Sequence, residues 1–147
     1  MCGFISCRLV LEDVRPLVNF NMKKRILVID DEEDILTILN IILEDEGYEV
    51  ISLNTGATAE EIQIIYPDLI ILDVRIKGFH KTGDKICSEI KACNSIMDIP
   101  VILLSAEFNV SQLAQESGAD GYLRKPFNVK ELVDQVNQIL VKKIVHQ

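Results

Sequence analysis

The chain has 147 residues, 48% hydrophobic and 26% charged, with a formal net charge of −8, which fits one ordinary globular domain and leaves little room for a two-domain enzyme. Seven Gly and four Pro are too few for a linker-rich or disordered chain. With 15 Lys and Arg against 23 Asp and Glu, the field repels nucleic acid and anionic membrane, no apolar run approaches the ~20 residues that span a bilayer, and the balance favours basic surfaces or cations as partners.

Residues 1–21 lack the basic start and uninterrupted apolar stretch of a signal peptide, because Arg8, Glu12 and Asp13 break up the apolar positions. The chain therefore reads as soluble and cytoplasmic, with reduced thiols rather than a disulfide framework. Cys2 and Cys7 lie in this segment. Cys87 and Cys93 fall about 240° apart around a predicted helix and cannot bridge locally. No CxxC occurs, which argues against zinc.

From Met22 onward the pattern is regular. Ile26–Ile29 is a short β-branched run suited to a strand buried on both faces, and it ends at Asp30–Asp31. Ile35, Ile38, Leu39 and Ile42 then recur at helical spacing, behind Glu32, Glu33 and Asp34 at the helix N-terminus, with Gly47 as the stop. Tyr48–Leu53 reads as a second strand. Ala59, Ile62 and Tyr66 form the stripe of a second helix that starts at Thr55 or at the capping box Thr58-x-x-Glu61 and ends at Pro67.

Asp68–Leu72 is a third strand ending in Asp73, followed by a polar, partly basic loop to Thr82. A helix from about Gly83 to Cys93 carries Ile86 and Ile90. Pro100 introduces the strand Val101–Leu104, which ends in Ser105; a short helix near Ser111–Ser117 stops at Gly118, and Gly121–Leu123 is a brief fifth strand. The last helix has Asn128 as N-cap and Glu131 at N3, with Val129, Leu132, Val133, Val136, Ile139 and Leu140 on one face.

Strands alternating with helices in this way predict an α/β fold, a doubly wound five-stranded parallel sheet with helices on both faces. Ligand chemistry in that architecture gathers at the carboxyl ends of the strands. There stand Asp30–Asp31, Asp73, Ser105 and Lys125. Carboxylates forced into one cleft raise each other's pKa unless a divalent cation neutralises them, and Mg²⁺ suits a small open oxygen site. An Asp can also act as a nucleophile and form an aspartyl phosphate, with Lys125 and the Ser105 hydroxyl meeting the phosphoryl oxygens.

At LVIDDE (27–32), LIILDV (69–74), VILLSA (101–106) and GADGYLRKPF (118–127) the chain from about Lys23 to Lys143 resembles a response regulator receiver domain, of single-domain type. The resemblance implies a flavodoxin-like sheet of order 2-1-3-4-5 and a division into an extension, 1–21, and a receiver, 22–147. Met22 is then the true initiator, or residues 1–21 are a poorly ordered extension. It further implies Asp73 as phosphoacceptor, Asp31 as a direct Mg²⁺ ligand, Asp30 as a ligand mainly through water, and the Arg75 main-chain carbonyl as a third protein ligand. Ser105 and Lys125 would bind the phosphoryl group, Ser105 and Tyr122 would act as the switch, and the Lys125–Pro126 bond would be cis.

Two departures from the family pattern stand out. No Met-Pro follows Asp73, and the loop to Gly83 is longer than usual and locally basic, through Arg75, Lys77, His80 and Lys81. Arg75 and Glu107, each two residues past a site residue, are expected to pair across the cleft mouth and slow hydrolysis of the acyl phosphate. His80 reads as an exposed loop residue.

The function implied is a switch that accepts a phosphoryl group from a histidine kinase or phosphotransfer protein. It is a phosphoacceptor that assists its own phosphorylation and dephosphorylation rather than an enzyme. Because the chain ends soon after the last helix, output is expected through a downstream protein or onward phosphotransfer, with no direct nucleic acid or membrane contact, from a monomer or a phosphorylation-dependent dimer. A Mg²⁺-dependent phosphohydrolase with an aspartyl nucleophile is the alternative, but such enzymes want an Asp where Arg75 stands. A flavodoxin-like cofactor site lacks its Gly-rich phosphate loop.

Overall fold

Arg25–Ile29 forms β1, and every residue after Arg25 in it is buried, as the run of β-branched and leucine side chains requires. The computed structural model describes residues 22–145; the expectations for residues 1–21, including Cys2, Cys7 and the initiator, lie outside them. The remaining strands are β2 (Glu49–Leu53), β3 (Leu69–Asp73), β4 (Val101–Ser105) and β5 (Gly121–Arg124), and the helices are α1 (Glu33–Asp45), α2 (Ala59–Ile65), α3 (Gly83–Ala92), α4 (Val110–Ser117) and α5 (Val129–Val145). All pairings are parallel, in the order β2-β1-β3-β4-β5.

Because strand side chains alternate, β1, β3 and β4 each feed two cores. Leu27, Ile29, Ile70, Leu72, Val101 and Leu103 face Ile62 of α2, Ile86 and Ile90 of α3 and Val110 and Ala114 of α4. Ile26, Val28, Leu69, Ile71, Ile102 and Leu104 face Leu36, Leu39 and Leu43 of α1 and Leu132, Val136 and Leu140 of α5. Each such fully buried side chain contributes roughly 1.5–3 kcal/mol of apolar burial. No helix of the described residues is long and apolar enough to cross a membrane.

Several local signals act as read. The Thr58 hydroxyl accepts from the Glu61 N–H at 3.2 Å in a capping box, and Asn128 Oδ1 accepts from the Glu131 N–H at 2.6 Å. Gly47 (φ +95°) and Gly118 (φ +80°) terminate α1 and α4 in the left-handed conformation. The Lys125–Pro126 bond is cis.

Three stripe assignments need correction. In α1 the sheet-facing residues are Leu36, Leu39 and Leu43, while Ile38 is 46% exposed. The helix carries more apolar residues than one face can hold, so its periodicity offers two stripes and the sheet takes the leucine one. Tyr66 is the αL C-cap of α2 (φ +47°) and points outward, since the residue before Pro67 does not continue the helix. Val129, in the first turn of α5, is exposed; the buried face begins at Leu132.

Candidate functional site

The crossover from β1 leads to β2 on one side and the crossover from β2 returns past β1 to β3 on the other, so the strand order reverses between β1 and β3. A crevice opens there at the carboxyl ends. Asp30 and Asp31 follow β1, Asp73 is the last residue of β3, Ser105 the last of β4, and Lys125 directly follows β5. Backbone pairing carries this edge past the strand ends: Val74 N–H donates to the Leu104 carbonyl at 3.0 Å and Lys125 N–H to the Ser105 carbonyl at 2.8 Å. The result is a cleft of about 280 Å³ whose walls include Asp31, Asp73, Arg75, Ser105 and Lys125.

Asp30 is fully buried and Asp73 is 4% exposed. One carboxylate oxygen from each of Asp30, Asp31 and Asp73 lies within 4.8 Å of the others. Lys125 Nζ stands 2.8 Å from Asp30 Oδ2, 2.9 Å from Glu32 Oε1 and 3.5 Å from Asp73 Oδ1. One ammonium thus answers three carboxylates. Burial, and then the neighbouring charge of Asp30, push the Asp73 carboxyl up to about 7, against the opposing pull of Lys125. For Lys125, burial works against the charge, but its hydrogen bonds to Asp30 and Glu32 win and its pKa is raised.

This donor set fits a hard divalent cation: three converging carboxylate oxygens, too few for a closed cage, with room in the cleft for water and further oxygens. Asp31 is only partly buried and faces the opening, whereas Asp30 is tied back by Lys125 and by the Glu32 N–H, which donates to its Oδ1 at 2.9 Å. The Ser105 Oγ accepts from the Glu107 N–H at 3.0 Å, leaving its own O–H free to donate. Tyr122 stands apart, 41% exposed on β5 and absent from the cleft wall.

Arg75 and Glu107 form an ion pair at the mouth, as their positions suggested. His80 is exposed and packs its ring against Phe79 at a centroid distance of 4.6 Å. Cys87 and Cys93 are both free thiols.

Two participants escaped the sequence reading. Glu32 looks like an acidic helix start, yet its side chain makes no cap bond and grips Lys125 instead. Gly83 looks like a routine helix start, yet a Cβ there would lie 2.0 Å from the Asp73 carbonyl oxygen. Its N–H donates to the Val74 carbonyl at 2.8 Å, so α3 is pressed against the backbone that carries Asp73. The available signal was a glycine where a helix former is preferred.

Comparison with known proteins agrees with this fold. The family model for the response regulator receiver domain matches residues 26–137. The chain is 35% identical over 118 residues to the DNA-binding response regulator MtrA of Mycolicibacterium paratuberculosis, covering 78% of this chain and 50% of that protein. It is 38% identical over 123 residues to the alkaline phosphatase synthesis transcriptional regulatory protein PhoP of Bacillus subtilis, covering 81% and 49%. The chain therefore spans about half the length of these relatives. Among solved structures, a putative response regulator from Chloroflexus aurantiacus matches with a TM-score of 0.71 at 31% identity, over 82% of this chain and 99% of that one. A CheY-like receiver domain protein from Methanospirillum hungatei matches with a TM-score of 0.73 at 26% identity, over 86% and 100%. The chain belongs to the response regulator receiver domain family of two-component signalling.

Proposed function

We propose that Asp73 accepts a phosphoryl group in a Mg²⁺-dependent reaction and that the chain works as a phosphorylation switch. The observation that carries this reading is the convergence of Asp30, Asp31 and Asp73 within 4.8 Å at the strand ends, with Lys125 paired to Asp30 and Asp73. Asp31, Asp73 and the Arg75 carbonyl would hold Mg²⁺ directly, and Asp30 mainly through water. When bound, the ion neutralises the carboxylates and the incoming phosphoryl oxygens. An Asp73 carboxylate oxygen attacks phosphorus, and the donor departs with the bonding pair. Lys125 Nζ, already 3.5 Å from Asp73, pairs with the transferred oxygens, and the Ser105 O–H donates to them.

The donor is a histidine kinase or phosphotransfer protein. The added charge biases a two-state equilibrium in which Ser105 and Tyr122 move. The response passes to a downstream protein or by onward phosphotransfer, in the cytoplasm, from a monomer or a phosphorylation-dependent dimer. The relatives carry DNA-binding names, but a net charge of −8 disfavours direct contact between this chain and nucleic acid. The Arg75–Glu107 pair shields the acyl phosphate from water.

Incubation with acetyl phosphate and Mg²⁺ is expected to add the mass of one phosphoryl group, and Asp73→Asn or removal of Mg²⁺ to abolish the gain. Steady turnover of an organic phosphate without a stable adduct would overturn the switch. Replacing Arg75 and Glu107 together by Ala should hasten phosphate loss, and an unchanged lifetime would remove the shielding role.

A further inference from the structure

The cations in the cleft wall are not equivalent. Lys125 is engaged by Asp30 and Glu32, and Arg75 by Glu107. Lys77 lines the same cleft as Asp73, is exposed, and forms no ion pair with any of the described residues.

Its backbone is well placed to hold that position. Val74 and Ile76 are buried in the core while Arg75 and Lys77 alternate outward, so both cations are turned toward the mouth. Beyond Lys77, the Phe79 N–H closes a turn on the Ile76 carbonyl at 3.3 Å. The Phe79 ring lies where a Cβ on Gly56 would meet it at 2.3 Å, which ties this loop to the one after β2. A fixed loop thus presents an uncommitted ammonium at the entrance, where the donor's leaving group must sit as Asp73 attacks.

We propose that Lys77 biases the site, among small phosphodonors, toward those whose leaving group departs as an anion over those whose leaving group departs neutral. The inference rests on Asp73 being the phosphoacceptor. In the transfer, the Asp73 oxygen forms the new bond to phosphorus and the P–O bond of the acyl phosphate breaks. The electron pair leaves on a carboxylate, and no proton or further reactant is needed. Negative charge grows on that oxygen in the transition state, where a nearby ammonium stabilises it. A nitrogen leaving group, as in phosphoramidate or phosphohistidine, departs neutral and gains nothing from the same ammonium.

The test compares second-order rate constants for phosphorylation by acetyl phosphate and by phosphoramidate, with Mg²⁺, in the wild type, Lys77→Met, Lys77→Arg and Lys77→Glu. Lys77→Met should slow the acetyl phosphate reaction about fivefold, the scale of one screened charge at an open mouth, and leave phosphoramidate unchanged or slightly faster. Lys77→Arg should retain the preference, and Lys77→Glu should deepen the loss. The preference should also shrink as ionic strength rises. Equal slowing with both donors, or no change with either, overturns the role of Lys77. Absence of labelling in the wild type, or labelling that survives in Asp73→Asn, overturns instead the reading of Asp73 on which it rests.

Discussion

The two ends of the sheet handle their charges in opposite ways. At the end where strands begin, Lys91 Nζ donates to the Ile99 carbonyl at 2.8 Å and to Asp120 Oδ2 at 2.9 Å, and the same Asp120 oxygen accepts from the Val101 N–H at 2.8 Å. Asp68 likewise accepts from the Arg25 N–H at 2.8 Å, and the Arg25 guanidinium donates to the Ile65 carbonyl at 2.8 Å. Each of these four side chains closes a backbone valence. At the end where strands finish, Asp30, Glu32 and Asp73 crowd one lysine, Asp31 joins the carboxylate cluster, and Asp73 holds its proton up to about 7. One end is balanced for stability, whereas the other stores repulsion that an added cation can relieve.

Removing the lysine at each end should expose this difference most strongly. Without divalent cation, Lys125→Ala strands the buried Asp30 carboxylate and is expected to cost about 3–5 kcal/mol in urea denaturation. Lys91→Ala leaves its acceptors nearer to solvent and should cost about 1–3 kcal/mol. Added Mg²⁺ should narrow the Lys125→Ala deficit and leave the Lys91→Ala deficit unchanged. Equal deficits with no response to Mg²⁺ would erase the contrast.

A smaller effect comes from steric support. Gly83→Ala forces a methyl onto the Asp73 carbonyl, so α3 must shift, at a cost of about 1–3 kcal/mol. It should also slow phosphorylation, because the carbonyl of Arg75 lies on the same displaced segment. Thermal melts and acetyl phosphate rates on one sample would check both; wild-type behaviour in either would show that the helix yields without moving the site.

The gentlest probe is pH. Because the folded Asp73 carboxyl titrates near 7 instead of near its ordinary value of 3.8, the folded state keeps a proton that the unfolded state loses between those values. The contribution of this group is therefore fully present below about pH 4 and is lost as pH rises through 7. In EDTA, the wild type should lose stability relative to Asp73→Asn over that window, and Mg²⁺ should flatten the difference. A difference independent of pH in EDTA would mean that the repulsion is absent.

Much of this was legible in the chain itself. Short β-branched runs ending in Asp31, Asp73 and Ser105, a capping box at Thr58 and Glu61, and Asn128 before the last helix are local signals, because backbone sterics and hydrogen-bond valence act within a few residues. They determined the alternation of strands and helices and, through the strand-end rule, which residues meet at the cleft. Tertiary structure decided what depends on residues distant in sequence. It chose Leu36, Leu39 and Leu43 over Ile38 for the core, because a sheet covers only one stripe of a helix. It turned Glu32 from a helix charge into a partner of Lys125, 93 residues away, and set Gly83 against Asp73. It also separated the uncommitted Lys77 from the paired Arg75, since which charge finds a partner depends on distances that only the packed sheet supplies.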